Sequence, residues 1–265
     1  MSHAFAVDRA LAVLSLKQRL AYKTHWVFAV VLGGGALLVS MAMWHNLIGS
    51  GSLGGYDWDS MRAYLIIGFV TTTIAFAGSD FQMADRILDG MVAIDLTKPL
   101  DFQRARAAEY TGSKLATLPT ALVGGAVAWL VFDPPAPVSP LAGALTALSV
   151  LLLFPITFEI TYLSVLACFW TKQYLGVMWL RMGLLNFFSG IMIPLALMPS
   201  WLQAVAWCLP FPHITTTPAS IYLGRVDTLG ALGLIGAELA WIAAMWIGAR
   251  LVFRYAVKTV TVHGG

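Results

Sequence analysis

"VSPLAGALTALSVLLLFPITF", residues 138–158, runs for 21 positions without a charged side chain. At 1.5 Å per residue, a helix of that length reaches about 30 Å, the thickness of a bilayer's hydrocarbon core. A lone strand could not satisfy its backbone polar groups there, so the stretch reads as a membrane-spanning helix. The apolar pattern continues beyond Glu159, and the span is placed at 139–165. On either side the same reading predicts spans at 26–46, 62–82, 115–132, 175–198 and 228–250. The fifth is interrupted only by Arg181, and the last, from Thr228 to Ala249, only by Glu238.

The composition agrees. The chain is 59% hydrophobic and 11% charged, with a mean hydropathy of +0.78. Soluble domains carry about 25% charge, so that class is excluded. The expected fold is an all-α polytopic membrane protein with six transmembrane helices. About twenty-five mixed residues precede the first run, which is too long for a signal-peptide core, so no cleavage is expected.

Lysine and arginine set the orientation. Thirteen of the sixteen fall in the leading segment, in the connections 83–114 and 171–174, or after residue 249. Arg62 and Arg225 lie on the other side, and Arg181 within a span. Both termini are therefore placed in the cytoplasm, and a bacterial inner membrane is the expected location. Segment 4–22 reads as an interfacial helix with Ala4, Val7, Leu11 and Leu14 on one face, although Leu16 and Leu20 blur the other. On the outward side, 199–225 is apolar and aromatic but broken by Pro199, Pro210, Pro212 and Pro218. Its runs are too short to cross, so a re-entrant segment is expected.

Several chemistries are missing from the chain. No G-x-x-x-x-G-K-[ST] phosphate loop, H-E-x-x-H or G-x-S-x-G occurs. The five histidines are scattered, and Cys168 and Cys208 read as inert buried thiols with no metal-type spacing. No metal site, catalytic residue or nucleic-acid partner is expected. Ionisable residues inside spans are functional candidates, however. Glu159 and Arg181 are each 11 residues from Trp170, which predicts equal depth on antiparallel helices and suggests a salt bridge; snorkelling to the interface is the competing reading. Glu238 sits mid-span, to be read either as a hydrogen-bonded packing residue or as a substrate or proton site.

The connection between the second and third spans is the polar exception. Residues 85–106, "DRILDGMVAIDLTKPLDFQRAR", hold eight of the 29 charged residues, of both signs. "ILDGMVAIDLTKPLDFQ" resembles a loop phrase of ABC-2 type transporter permeases through Gly90, Leu96, Lys98, Pro99 and Leu100. "MPSWLQAVAWCLPFPHITTTPASIYLG" is similar to a second phrase through Pro199, Trp201, Leu209, Pro210, Phe211, Pro218 and Gly224. The resemblance covers essentially the whole chain. It implies a membrane-spanning permease subunit that exports a small or amphiphilic substrate by alternating access. It implies partnership with cytoplasmic ATP-binding subunits, where ATP and Mg bind, and with a second permease, a heterodimer being favoured over a homodimer, all within membrane lipid. It further implies that 85–113 docks on the ATPase, with Asp85, Arg86, Asp89, Asp95, Lys98 and Arg104 as polar contacts. An ion-coupled secondary transporter, with Glu238 as coupling site, and a membrane-embedded enzyme or assembly scaffold are the alternatives.

Overall fold

The computed structural model describes residues 2–21, 23–76 and 80–259. The described chain is helical, with no strand. In order the helices are α1 (Ser2–Ala21), α2 (Lys23–Ile48), α3 (Trp58–Phe76), α4 (Asp80–Leu88), α5 (Val92–Leu96), α6 (Phe102–Phe132), α7 (Pro140–Leu166), α8 (Leu175–Phe188), α9 (Ser200–Trp207), α10 (Pro212–Tyr222) and α11 (Thr228–Ala256). Three of the long helices, α6, α7 and α11, start on their own capping signals. Asp101, Ser139 and Asp227 accept from the backbone N–H three residues on, at 2.9, 3.1 and 2.8 Å, which satisfies a donor with no partner within the helix. α6 ends at Asp133, whose φ is +43°, just before Pro134 and Pro135, which cannot continue it.

Among the described residues, five stretches are long and apolar enough to cross a membrane: Val31–Ile48, Trp58–Leu88, Phe102–Phe132, Pro140–Phe169 and Thr228–Ala256. The fifth expected span, 175–198, is not one helix. α8 has 14 residues, about 21 Å, and stops short of a full crossing. It stops because Gly190 takes φ +86°, a left-handed conformation open to glycine, in a niche where an added Cβ would meet the Tyr64 and Thr216 hydroxyls. Neighbouring helices hold the break. Tyr64 donates to the Gly190 carbonyl at 2.7 Å, and Thr216 donates to the Ser189 carbonyl through its hydroxyl at 2.8 Å and its backbone N–H at 3.2 Å. Backbone groups freed at a helix break inside a membrane need such partners.

The packing falls into layers. α3 packs on α2, α6 and α10, and α7 packs on α10 and α11. A middle layer joins Ile74, Ala121, Leu153, Ile156 and Ile214, all at most 1% exposed. Lipid tails are as apolar as these side chains, so close fit and interhelical hydrogen bonds hold the bundle together rather than water exclusion. α9 and α10 are each too short to cross; α10 is almost wholly buried, whereas Trp201 and Trp207 of α9 are exposed. α1 packs lengthwise on α6: Asp8 meets Arg104 at 2.5 Å, and Gly112 lies so close to the Ala12 carbonyl that a Cβ would strike it.

Candidate functional site

The connection between α3 and α6 folds into two short helices joined at Gly90, whose φ of +72° turns the chain between α4 and α5. Asp95 anchors the turn from within. Its buried carboxylate receives Arg86 at 2.9 Å and Lys98 at 2.7 Å. Burial opposes the charge, but the Lys98 hydrogen bond and the fields of Arg106 and Arg86 outweigh it, holding the Asp95 carboxyl below the ordinary value of 3.8. Around this clamp the outer surface presents Leu88, Met91, Ile94, Leu96 and Leu100, all exposed, together with Asp85 and Asp89. Apolar side chains at a turn rimmed by charge suit insertion into a groove of another protein.

The six charges expected at a docking surface thus divide. Asp85 and Asp89 are exposed, and Lys98 and Arg86 lie at the edge, bound to Asp95. Asp95 is an internal brace. Arg104 reaches back to Asp8 of α1. The helix between Gly90 and Pro99 is only five residues long and ends at Leu96, two residues before Lys98.

A second polar group lies between the helices. Arg181 of α8 pairs with Asp80 of α4 at 2.6 Å and donates to the Thr161 hydroxyl at 2.8 Å; the Tyr174 hydroxyl also reaches Asp80, at 3.3 Å. Glu159 instead receives Gln103, 3.3 Å from each carboxylate oxygen, and the same amide donates to the Trp246 carbonyl at 3.2 Å. The expected Glu159–Arg181 bridge is therefore not formed. Residues 159 and 161 lie two apart, about 200° around a helix of 3.6 residues per turn. The face of α7 that meets α8 carries Thr161, and Glu159 turns towards α6 and α11. Glu238 is fully buried and receives the Ser149 hydroxyl of α7 at 2.5 Å; its Oε2 has no hydrogen-bond partner among the described residues.

Sequence reading passed over Asp80 and Lys114 because both lie at predicted span ends, where charge is ordinary. Lys114 is completely buried and donates to the Ile74 and Ala75 carbonyls, the latter at 2.7 Å, satisfying the last turn of α3. Its position beside an apolar run was a signal that counting charge-free windows discards. Cys168 is buried as expected, but Cys208, at the end of α9, is exposed. Among the described residues no group of His, Cys, Asp and Glu could hold a metal ion.

A search of curated proteins finds no match. A family model described as "ABC-2 family transporter protein" matches residues 30–264, nearly the whole chain and every membrane-spanning helix in it. With that match added to the bundle and the polar turn between its second and third spans, the chain belongs to the ABC-2 family of transporter membrane proteins.

Proposed function

We propose that this chain is the permease subunit of an ATP-driven exporter, moving a small or amphiphilic substrate by alternating access. The observation that carries the reading is the α4–α5 turn: an apolar, charge-rimmed surface braced by a buried carboxylate, in a chain with no phosphate loop of its own. Members of the family normally work with ATP-binding subunits. In this reading the turn lies in the cytoplasm, as do both termini, with α1 at the inner surface, and ATP and Mg bind on the partner subunit. Two permeases, favoured as a heterodimer, complete the assembly. α9 and α10 form the outward re-entrant segment, where α10 closes the outer end of the bundle.

The test is co-purification of the full chain with the proteins encoded beside it. Asp89→Arg with Ile94→Glu is expected to release an ATP-binding partner while leaving the chain folded. Lys172→Glu, on another connection of the same side, is the control and is expected to retain it. Active transport by the chain alone in ATP-free vesicles would overturn the reading.

The orphan Oε2 of Glu238 favours a second reading, ion-coupled transport through that carboxyl. Glu238→Gln keeps the shape and the hydrogen bond to Ser149. If transport persists with unchanged pH dependence, Glu238 is a packing residue and this second reading falls.

A further inference from the structure

Between α2, α3 and α6 lies a cavity of about 360 Å³, within the range of about 300–1,000 Å³ in which small-molecule sites fall. Along α3 its wall runs from Tyr64 to Phe76, about 18 Å of helix, so the space is a slot parallel to the helix axis. Leu37, Leu65, Phe69 and Phe76 make its lining apolar, and Ser40, Thr72, Thr73, Thr117 and Thr120 set hydroxyls into it. Thr120 also borders an apolar furrow between α2 and α6, where it is the one polar side chain; the other four hydroxyls border the slot alone.

Two of these hydroxyls are left over. Thr72, Thr73 and Thr117 donate to carbonyls of their own helices at 2.6, 2.7 and 2.8 Å, and so have only acceptor lone pairs to offer. Thr120, only 8% exposed, makes no such bond, nor any other among the described residues, and the same holds for the Ser40 hydroxyl. A buried hydroxyl without a partner is costly where the surrounding solvent is hydrocarbon, so Thr120 calls for a partner from outside the chain. The slot also disfavours charge. No carboxylate or lysine lines it; Arg19, the one charged residue in its wall among the described residues, lies in the field of Asp80 and is already engaged. An ionised group entering an apolar slot without a counter-charge is heavily penalised. A hydroxyl is not, since it can accept from one wall hydroxyl and donate to another.

We infer that this slot is where the transported molecule binds, and that the molecule is an uncharged amphiphile, a slender apolar body bearing a hydroxyl that meets Thr120 and Ser40. As a substrate site it rests on the exporter reading. The binding itself needs no ATP-binding subunit. Failure of the binding measurement leaves the exporter reading standing, and failure of co-purification leaves the binding site standing.

The experiment places the purified full chain in phosphatidylcholine nanodiscs with a photoreactive probe, octan-1-ol carrying a diazirine in its chain. The matching octanoate and octyltrimethylammonium are the charged comparators. Labelled peptides are identified by mass spectrometry after illumination. The alcohol is expected to label segments 64–76 and 117–120 saturably, to be displaced by plain octan-1-ol, and to label them more strongly than either ion. Thr120→Val with Ser40→Ala is expected to weaken the alcohol about ten-fold, the scale of two neutral hydrogen bonds, and Thr120→Ser to retain it. Ala36→Phe narrows the slot without removing a hydroxyl and is expected to lower labelling. Thr111→Val removes a threonine hydroxyl that bonds the Ala107 carbonyl away from the slot, and is expected to leave labelling unchanged. Unsaturable labelling spread over the lipid-facing helices, equal labelling by either ion, or unchanged labelling in the double variant or in Ala36→Phe would each overturn the inference.

Discussion

Arg181 and Asp80 form a pair in which each side chain is at most 14% exposed. Removing one partner of such a pair leaves a charge with nothing to compensate it. Arg181→Gln is therefore expected to cost about 3 kcal/mol, and the double variant with Asp80→Asn to recover most of the loss. Thermal unfolding in detergent, followed by tryptophan fluorescence, checks both. If the double variant is no more stable than the single one, the two residues act independently.

Asp95 carries a pH dependence of defined sign. Its folded pKa lies below the ordinary 3.8, so its contribution to the turn is complete above 3.8 and is lost as pH falls through the folded value. Amide exchange in peptides covering 86–98, corrected for intrinsic rates, is expected to rise over that acidic window. Asp95→Asn should show the raised exchange already at neutral pH. Residue identity alone made Arg181 and Asp95 visible as candidates, while Asp80, at a predicted span end, was not. It did not tell Asp95, the internal brace, from Asp89 on the surface six residues earlier, because both are aspartates in one polar loop.

Among the elements, α8 departs furthest from its sequence pattern. Residues 175–198 are apolar enough to suggest a straight span, and Gly190 is one of 24 glycines in the chain, most of them unremarkable. Only contact with α3 and α10 shows that this glycine turns left-handed in a niche too tight for a Cβ. Gly190→Ala is expected to destabilise the bundle by about 1–2 kcal/mol from backbone strain alone, with more from the clash. Gly33→Ala, facing only the Phe69 ring edge at 3.1 Å, should be milder. An unfolding midpoint lowered more by the Gly33 change than by the Gly190 change would count against this account of the break. α1 is a related case. Its apolar face suggests a helix at the membrane surface, and to that the structure adds the Asp8–Arg104 pair and the close approach at Gly112, which seat it along α6.

For the molecule as a whole, the sequence by itself determined the class of fold, the number of long apolar helices to within one, and the polar turn between the second and third of them. Those features are local or additive. Hydrophobic length sets what can cross a bilayer, and a charged loop excludes itself from the hydrocarbon. The family followed from phrases that keep their order along the chain. The tertiary structure alone decided which charges meet and where the fifth apolar run breaks. Helical phase is the physical reason. Each residue turns its neighbour by about 100°, so two side chains at matched depth can face different partners, and which face a helix buries is settled only when the others have packed against it.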